Sequence, residues 1–144
     1  MTSIPLHPML VHFPVAFYFL ELLLLILWAV KHDPGYRRFA LFSFRLGYLF
    51  MIVAIIAGYV DAGGRGVFGL GEFINRLTWG NMLKIRLHVF AATGVFILYT
   101  TRAFFWRWGR EESRSYRTIQ ILGALVGYCL VILTGYFGGI LVFG

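Results

Sequence analysis

Hydrophobic residues are gathered in four long stretches separated by more polar connections. The stretches cover roughly residues 8–30, 39–60, 82–105 and 118–143. A helix needs about 20 residues to cross a hydrocarbon core of about 30 Å, so each stretch is long enough to span a membrane. Short connections make consecutive helices antiparallel neighbours. The pattern therefore predicts an all-α integral membrane protein: an antiparallel bundle of four transmembrane helices, forming a single domain over residues 1–144.

Composition excludes a soluble protein. Hydrophobic residues make up 60% of the 144 residues, aromatic residues make up 19%, and the mean hydropathy is +0.79. A soluble domain of this length could not bury so much apolar surface. Little sequence remains outside the four stretches for a soluble domain, and we expect no internal repeat along the chain.

Lysine and arginine are concentrated in two of the three connections. The connections after the first and third stretches carry eight of these residues, whereas the connection after the second stretch, with the start of the third, carries four. Because cytoplasmic loops are enriched in Lys and Arg, we expect both termini to be extracytoplasmic. The net charge of +7 then reflects topology and not nucleic-acid binding. The eight are Lys31, Arg37, Arg38, Arg102, Arg107, Arg110, Arg114 and Arg117.

Three histidines lie near the starts of membrane spans. His7 and His12 open the first stretch in the run Leu6–Pro14, and His88 lies a similar distance into the third stretch. With the expected topology, all three lie in one leaflet. An ionisable or metal-ligating side chain is costly in lipid, so it marks a functional site by default. The sequence therefore predicts a site near the outer face, between the first and third helices.

The helical phase of the two N-terminal histidines differs. On a straight helix His12 and Glu21 point to opposite sides, whereas His7 and Glu21 nearly align. Pro14 can kink or unwind the first turns and so relieve this conflict. We favour His12 as the inward-facing histidine because it is deeper in the membrane, and we interpret His7 as interfacial.

Two charged residues within the spans call for partners. Glu21 lies in the first stretch and Arg45 in the second, both within two to three turns of the cytoplasmic surface. Either charge alone would be costly there, so we predict a buried Glu21–Arg45 ion pair. The pair would fix helix register, although Glu21 as a proton-carrying or quinone-facing carboxylate stays an alternative. At the outer end of the second stretch, Asp61 is expected to accept a ring N–H of a histidine.

Small residues on the last two stretches predict a close approach of helices or of a ligand. The fourth stretch carries a glycine pattern that lets another helix, or a flat ligand, contact the backbone. On the third stretch His88 shares a face with Ala91, Ala92, Val95 and Tyr99. Helix packing alone and a slot beside His88 both stay open. The glycines are Gly123, Gly127, Gly135 and Gly139, with Gly138 beside them.

Several of these segments resemble a known family. The chain is similar to the small bacterial membrane proteins grouped as domain-of-unknown-function family 2231, and the similarity covers nearly its whole length. That family resembles four-helix membrane b-type cytochromes in build, which implies haem and a bacterial inner membrane. Ala91 and Ala92 depart from the family, which usually has an Asn there. The matching segments are Leu6–Ala16, Gly58–Asp61, Leu87–His88 and Gly138–Val142.

Three functions fit the sequence. The first is an electron-transfer protein with haem b held by His12 and His88, to which Gly135, Gly138 and Gly139 give room. Its partner would be a quinone or a larger membrane electron-transfer complex. The second is a non-catalytic accessory or assembly subunit of a respiratory or photosynthetic complex. The third is a small transporter or proton path. No hydrolase or kinase motif occurs, so we expect no independent catalyst.

Overall fold

The computed structural model describes residues 6–62, 79–108 and 113–143, and this part of the chain is helical except at short turns. Residues 1–5, 63–78, 109–112 and 144 lie outside the described ranges, and so do Arg65, Arg76 and Arg110. Four segments are long and apolar enough to span a membrane, so the predicted four-helix membrane bundle is confirmed. The helices are α1 (Leu6–Leu10), α2 (His12–Lys31), α3 (Pro34–Ala62), α4 (Trp79–Trp108) and α5 (Arg114–Phe143). The spans are Leu6–Lys31, Pro34–Asp61, Leu83–Trp106 and Arg114–Ile140.

The first span is interrupted at Val11, between α1 and α2. Proline has no backbone N–H, so Pro14 cannot donate to the carbonyl of Leu10, and its ring crowds that carbonyl. Val11 keeps right-handed helical dihedrals (φ −65°, ψ −20°), and its N–H donates to His7 O at 3.1 Å. The interruption therefore divides the helix without removing α1 from the span.

The turn between α2 and α3 is stabilised by hydrogen bonds at His32 and Asp33. His32 ends α2 in the left-handed conformation (φ 58°), and its N–H donates to Trp28 O at 2.9 Å. The Asp33 carboxylate accepts the N–H of Gly35 at 2.7 Å, and Pro34 begins α3. An acidic cap followed by proline is typical of a helix start.

The helices pack as two antiparallel hairpins, α2 with α3 and α4 with α5. Apolar side chains such as Phe39, Ile56 and Phe90 are exposed on the outer surface, as lipid contact requires. The core is aromatic. The rings of Tyr18 and Tyr99 are fully buried and stacked, with centroids 3.6 Å apart. The stack joins α2 to α4 at the centre of the bundle.

Two glycines make room for this tyrosine stack. A Cβ at Gly47 of α3 would lie 2.7 Å from Tyr18, and one at Gly127 of α5 would lie 2.7 Å from Tyr99. Distances this short are not tolerated, so each glycine allows a ring to lie against the helix backbone. Part of the predicted glycine pattern therefore serves packing between α4 and α5.

The predicted Glu21–Arg45 pair is wrong, because Glu21 pairs with Arg102 of α4. Arg102 Nη2 donates to Glu21 Oε1 at 2.5 Å, and Nη1 donates to Oε2 at 3.3 Å. The exposed fractions of Glu21 and Arg102 are 0% and 4%, whereas Arg45 is exposed. Arg45 is exposed on α3 whereas the Glu21 carboxylate is buried in the bundle interior, so the two do not form the predicted pair.

Arg102 has further partners in the last helix. Its Nη2 donates to the backbone oxygen of Gln120 at 3.2 Å and to Gln120 Oε1 at 3.3 Å. A two-pronged guanidinium contact with additional acceptors compensates the desolvation of a buried ion pair. Glu21 and Arg102 thus tie α2 to α4, and Gln120 adds α5 to the same network.

Candidate cofactor-binding site

A cavity of about 430 Å³ lies at the end of the bundle where α1 begins, opposite the α2–α3 turn. It is walled mainly by apolar side chains, with three histidines and several glycines among them. Pockets of this volume and character are typical ligand sites. Its walls include His7, Val11, His12, Tyr18, Met51, Ala54, His88, Ala92, Val95, Val131, Thr134, Gly135, Gly138 and Gly139.

His7 is held against α3. Its Nδ1 lies 2.7 Å from the backbone oxygen of Ala54, and a Cβ at Gly58 would lie 2.8 Å from the same nitrogen. The half-buried ring thus lies directly on the α3 backbone, at a position that only glycine leaves open. The carbonyl of Ala54 and the small size of Gly58 together set the orientation of the His7 ring.

His88 is held against α5 in the same way. Its Nδ1 lies 2.9 Å from the backbone oxygen of Thr134, and a Cβ at Gly138 would lie 3.1 Å from its ring. The ring is half-buried and faces the cavity together with Ala92 and Val95. The predicted slot beside His88 is therefore present, and small residues do surround it.

The two carbonyl contacts fix the tautomer of both rings. A carbonyl oxygen only accepts hydrogen bonds, so Nδ1 of His7 and Nδ1 of His88 must each carry a proton. In the neutral ring Nε2 then bears a lone pair and can ligate a metal. A histidine that ligates a metal through one nitrogen commonly donates its other N–H to a backbone carbonyl.

The same two imidazoles meet across the bundle. Their ring centroids are 6.0 Å apart, and their planes are nearly perpendicular at 89°. His7 and His88 therefore lie at the same end of the bundle. The arrangement brings two imidazoles from different helices together at the cavity.

His12 does not take the inward position that the sequence analysis assigned to it. The residue contributes to the cavity wall but is exposed, and His7 is the histidine whose ring approaches His88. The helix continues through Val11 with helical dihedrals, so it keeps the phase that aligns His7 with Glu21. Depth in the membrane was therefore the wrong criterion for choosing the inward-facing histidine, and helical phase was the right one.

Asp61 contacts His7 through the backbone and not through the ring. Its Oδ2 accepts the backbone N–H of His7 at 2.7 Å. The first N–H groups of a helix have no partner within the helix, so the carboxylate stabilises the start of α1. The prediction that Asp61 accepts a ring N–H of a histidine is therefore wrong, because the ring of His7 contacts Ala54 O instead.

The predicted glycines divide between packing and cavity. Gly138 receives the ring of His88, whereas Cβ atoms added at Gly135 and Gly139 would have no atom within 4 Å. Both of these glycines line the cavity, so its wall along α5 is open backbone. Sequence analysis missed the roles of Ala54, Thr134 and Gly58. The one feature of the sequence that could have revealed them is a glycine four residues after the acceptor residue in each helix, Gly58 after Ala54 and Gly138 after Thr134.

Comparison with known proteins places the chain in a family. Neither the curated proteins nor the solved structures searched contain a match. The family model described as "Predicted membrane protein (DUF2231)" matches residues 3–144, nearly the whole chain. Four apolar helices of membrane-spanning length agree with that description. This protein therefore belongs to the DUF2231 family of predicted membrane proteins.

Proposed function

We propose that this protein is a small membrane electron-transfer protein, or a subunit of a larger one, that holds a b-type haem between His7 and His88. The observation that carries the proposal is the pair of converging imidazoles, each with Nδ1–H donated to a carbonyl and Nε2 left to ligate. The pair replaces the His12–His88 pair that the sequence alone favoured.

The number and spacing of the donors favour haem over a bare metal ion. In the part of the chain that the structure describes, no group of three or more His, Cys, Asp or Glu could hold a metal. A zinc site usually needs four ligands, whereas a haem iron takes two axial ligands from the protein. The ring centres of His7 and His88 are 6.0 Å apart, close enough for both residues to hold one haem iron.

The cavity supports a flat apolar ligand. Its walls are mostly aliphatic, and Gly135 and Gly139 present backbone with open space beyond it. Cofactor sites in helical bundles are commonly built from side chains on facing helices, as they are here. Cys129 is the one cysteine of the chain, so no cysteine pair is available to attach a haem covalently.

A haem with two imidazole ligands supplies one-electron transfer and leaves no open position for oxygen. The protein would exchange electrons with a membrane quinone or with a larger membrane complex. Its own residues orient the two imidazoles, keep water from the apolar cavity and anchor the start of α1 through Asp61.

The purified protein, expressed with sufficient haem, should show a reduced-minus-oxidised absorption spectrum of low-spin b type. The haem should be removable by acid and organic solvent, because the attachment is not covalent. A folded but colourless protein that also binds no added haem would contradict the proposal. That outcome would favour the accessory subunit.

We further propose that both ends of the chain face away from the cytoplasm, in the inner membrane of a bacterium. Arg102 belongs to the bundle interior, so seven and not eight Lys and Arg residues remain for the two connections assigned to the cytoplasm, against four on the other side. A reporter active only in the periplasm should work when fused after Gly144. Activity there of a reporter that works only in the cytoplasm would reverse the topology, and the histidine site would then face the cytoplasm.

A further inference from the structure

The two hairpins share a sequence pattern that becomes visible once the contacting residues are aligned. Three residues of the first span each lie 81 residues before a counterpart in the third span. The pairs are His7 and His88, Tyr18 and Tyr99, and Glu21 and Arg102. In the second and fourth spans, residues 36–58 align with residues 116–138 at an offset of 80 positions. The identical residues there are Tyr36 and Tyr116, Arg37 and Arg117, Gly47 and Gly127, Tyr48 and Tyr128, Ile52 and Ile132, and Gly58 and Gly138.

Equivalent residues make equivalent contacts within each hairpin. His7 lies on Gly58 with Nδ1 at the carbonyl four residues earlier, and His88 lies on Gly138 with Nδ1 at the carbonyl four residues earlier. Tyr18 and Tyr99 likewise lie against equivalent glycines of the partner helices, and the distance to an added Cβ would be 2.7 Å in both. The two hairpins therefore repeat one packing scheme.

One contact between the hairpins has an equivalent as well. Tyr48 of α3 forms a hydrogen bond with Thr100 of α4 at 2.9 Å. The equivalent residues, Tyr128 of α5 and Phe19 of α2, are in ring contact with centroids 5.6 Å apart. Two hairpins whose mutual contacts are exchanged in this way are related by a two-fold rotation.

Three pairs of equivalent residues touch each other, which places them on the rotation axis. These pairs are the facing imidazoles of His7 and His88, the stacked tyrosines Tyr18 and Tyr99, and the ion pair of Glu21 and Arg102. The first and third spans meet at their starts and again 14 residues later, so they run in the same direction. The axis therefore follows the membrane normal, as in transporters built from parallel repeats.

We propose that the chain is a tandem duplication of one helical hairpin, and that His7 and His88 are equivalent halves of one binding site on the axis between the copies. The expectation of no internal repeat was wrong, because only the few residues at contacts have stayed alike. Lipid-facing positions tolerate any apolar residue, so they have diverged.

The axis restricts the class of ligand. A site with two equivalent imidazoles suits a ligand with two equivalent faces, such as a metalloporphyrin ligated from both sides. A quinol ring placed between the two would need room for its ring and for two hydrogen bonds, more than the 6.0 Å between ring centres. The assignment of haem rests on the proposed function, whereas the pairing of the hairpins does not. Gly58 and Gly138, with the carbonyls of Ala54 and Thr134, then act as matched positioning residues.

The ion pair allows a test of the axis that needs no haem. Two glutamates or two arginines at this place on the axis would face each other as like charges. The two copies therefore carry residues of opposite charge here. Around Arg102, Gln120 accepts its hydrogen bonds and Gly123 leaves room for its side chain, since a Cβ there would lie 3.0 Å away. The equivalents in the other hairpin are Ala40 and Ser43, each 80 residues earlier.

We expect E21R to lower the melting temperature of the full chain in detergent by about 10 °C or more, because it buries two like charges. Moving the arginine and its surroundings to the other hairpin should restore stability. The exchange combines E21R/R102E with A40Q/Q120A and S43G/G123S, and it should melt within about 5 °C of the original protein. An exchange variant no more stable than E21R would overturn the two-fold relation.

Haem titration of the full chain tests the equivalence of the two histidine positions. G58A and G138A should each weaken haem affinity about 10- to 100-fold and raise the high-spin fraction, as the loss of a positioning contact does. G94A is the matched control, because its nearest atom would be Leu130 Cδ1 at 3.9 Å. If only one of the two variants moved the spectrum, the equivalence would fail. A protein that binds no haem but tolerates the exchange would refute the proposed function and keep the duplication.

Discussion

H88A should abolish low-spin haem binding by the purified protein, and H7A should do the same or leave a five-coordinate, high-spin haem. Each imidazole is held with Nε2 free and lies 6.0 Å from the other ring, so removal of either takes away one of two axial ligands. We expect haem affinity to fall by at least about 100-fold, the upper end of what a lost positioning contact costs. Absorption spectra and haem titration measure both effects.

H12A and H32A complete this series. His32 is exposed in the α2–α3 turn, at the opposite end of the bundle, so H32A should leave spectrum and affinity unchanged. H12A should keep a low-spin spectrum, because His12 is exposed and His7 supplies the ring that faces His88. A loss of low-spin haem in H12A but not in H7A would restore the pair that the sequence favoured.

R102L should strongly destabilise the bundle interior. It leaves the fully buried Glu21 carboxylate without its guanidinium partner and removes two hydrogen bonds to Gln120. Breaking a buried pair on one side typically costs about 3–5 kcal/mol. For a protein of this size that corresponds to a fall of about 10 °C in melting temperature, measured by thermal unfolding in detergent.

The double variant E21L/R102L should be much milder than R102L, because it leaves no uncompensated charge. R45L is the control from the same bundle, and since Arg45 is exposed, its effect should stay within about 0.5 kcal/mol. Equal damage from R102L and from the double variant would show that the two residues do not act as a pair.

The sequence by itself determined the class of protein and the number of spans. Four apolar stretches of about 20 residues or more have no other stable arrangement than membrane helices, because lipid leaves no partner for an open backbone. The glycines and alanines on the third and fourth spans also marked the faces that pack and the slot beside His88. These features depend on composition and on local periodicity, which a sequence displays directly.

The phase of the first helix was also contained in the sequence, but it was weighed wrongly. His7 and Glu21 align on an ideal helix, and His88 and Arg102 have the same spacing. Taken together, these equal spacings would have favoured His7 over His12 and Arg102 over Arg45. Arg102 was counted with the arginines of the following connection because it lies close to them in sequence, although the helix carries it into the interior.

Tertiary structure alone decided which partners meet. The sequence does not state which helix lies across from α2, so Glu21 was assigned a partner on the helix that follows it in the chain. The acceptors of the histidine protons are backbone oxygens of Ala54 and Thr134, which carry no side-chain signature. The two-fold relation between the hairpins became visible for the same reason. Its evidence is a set of contacts between distant residues, and the residues that make them are few among many interchangeable apolar ones.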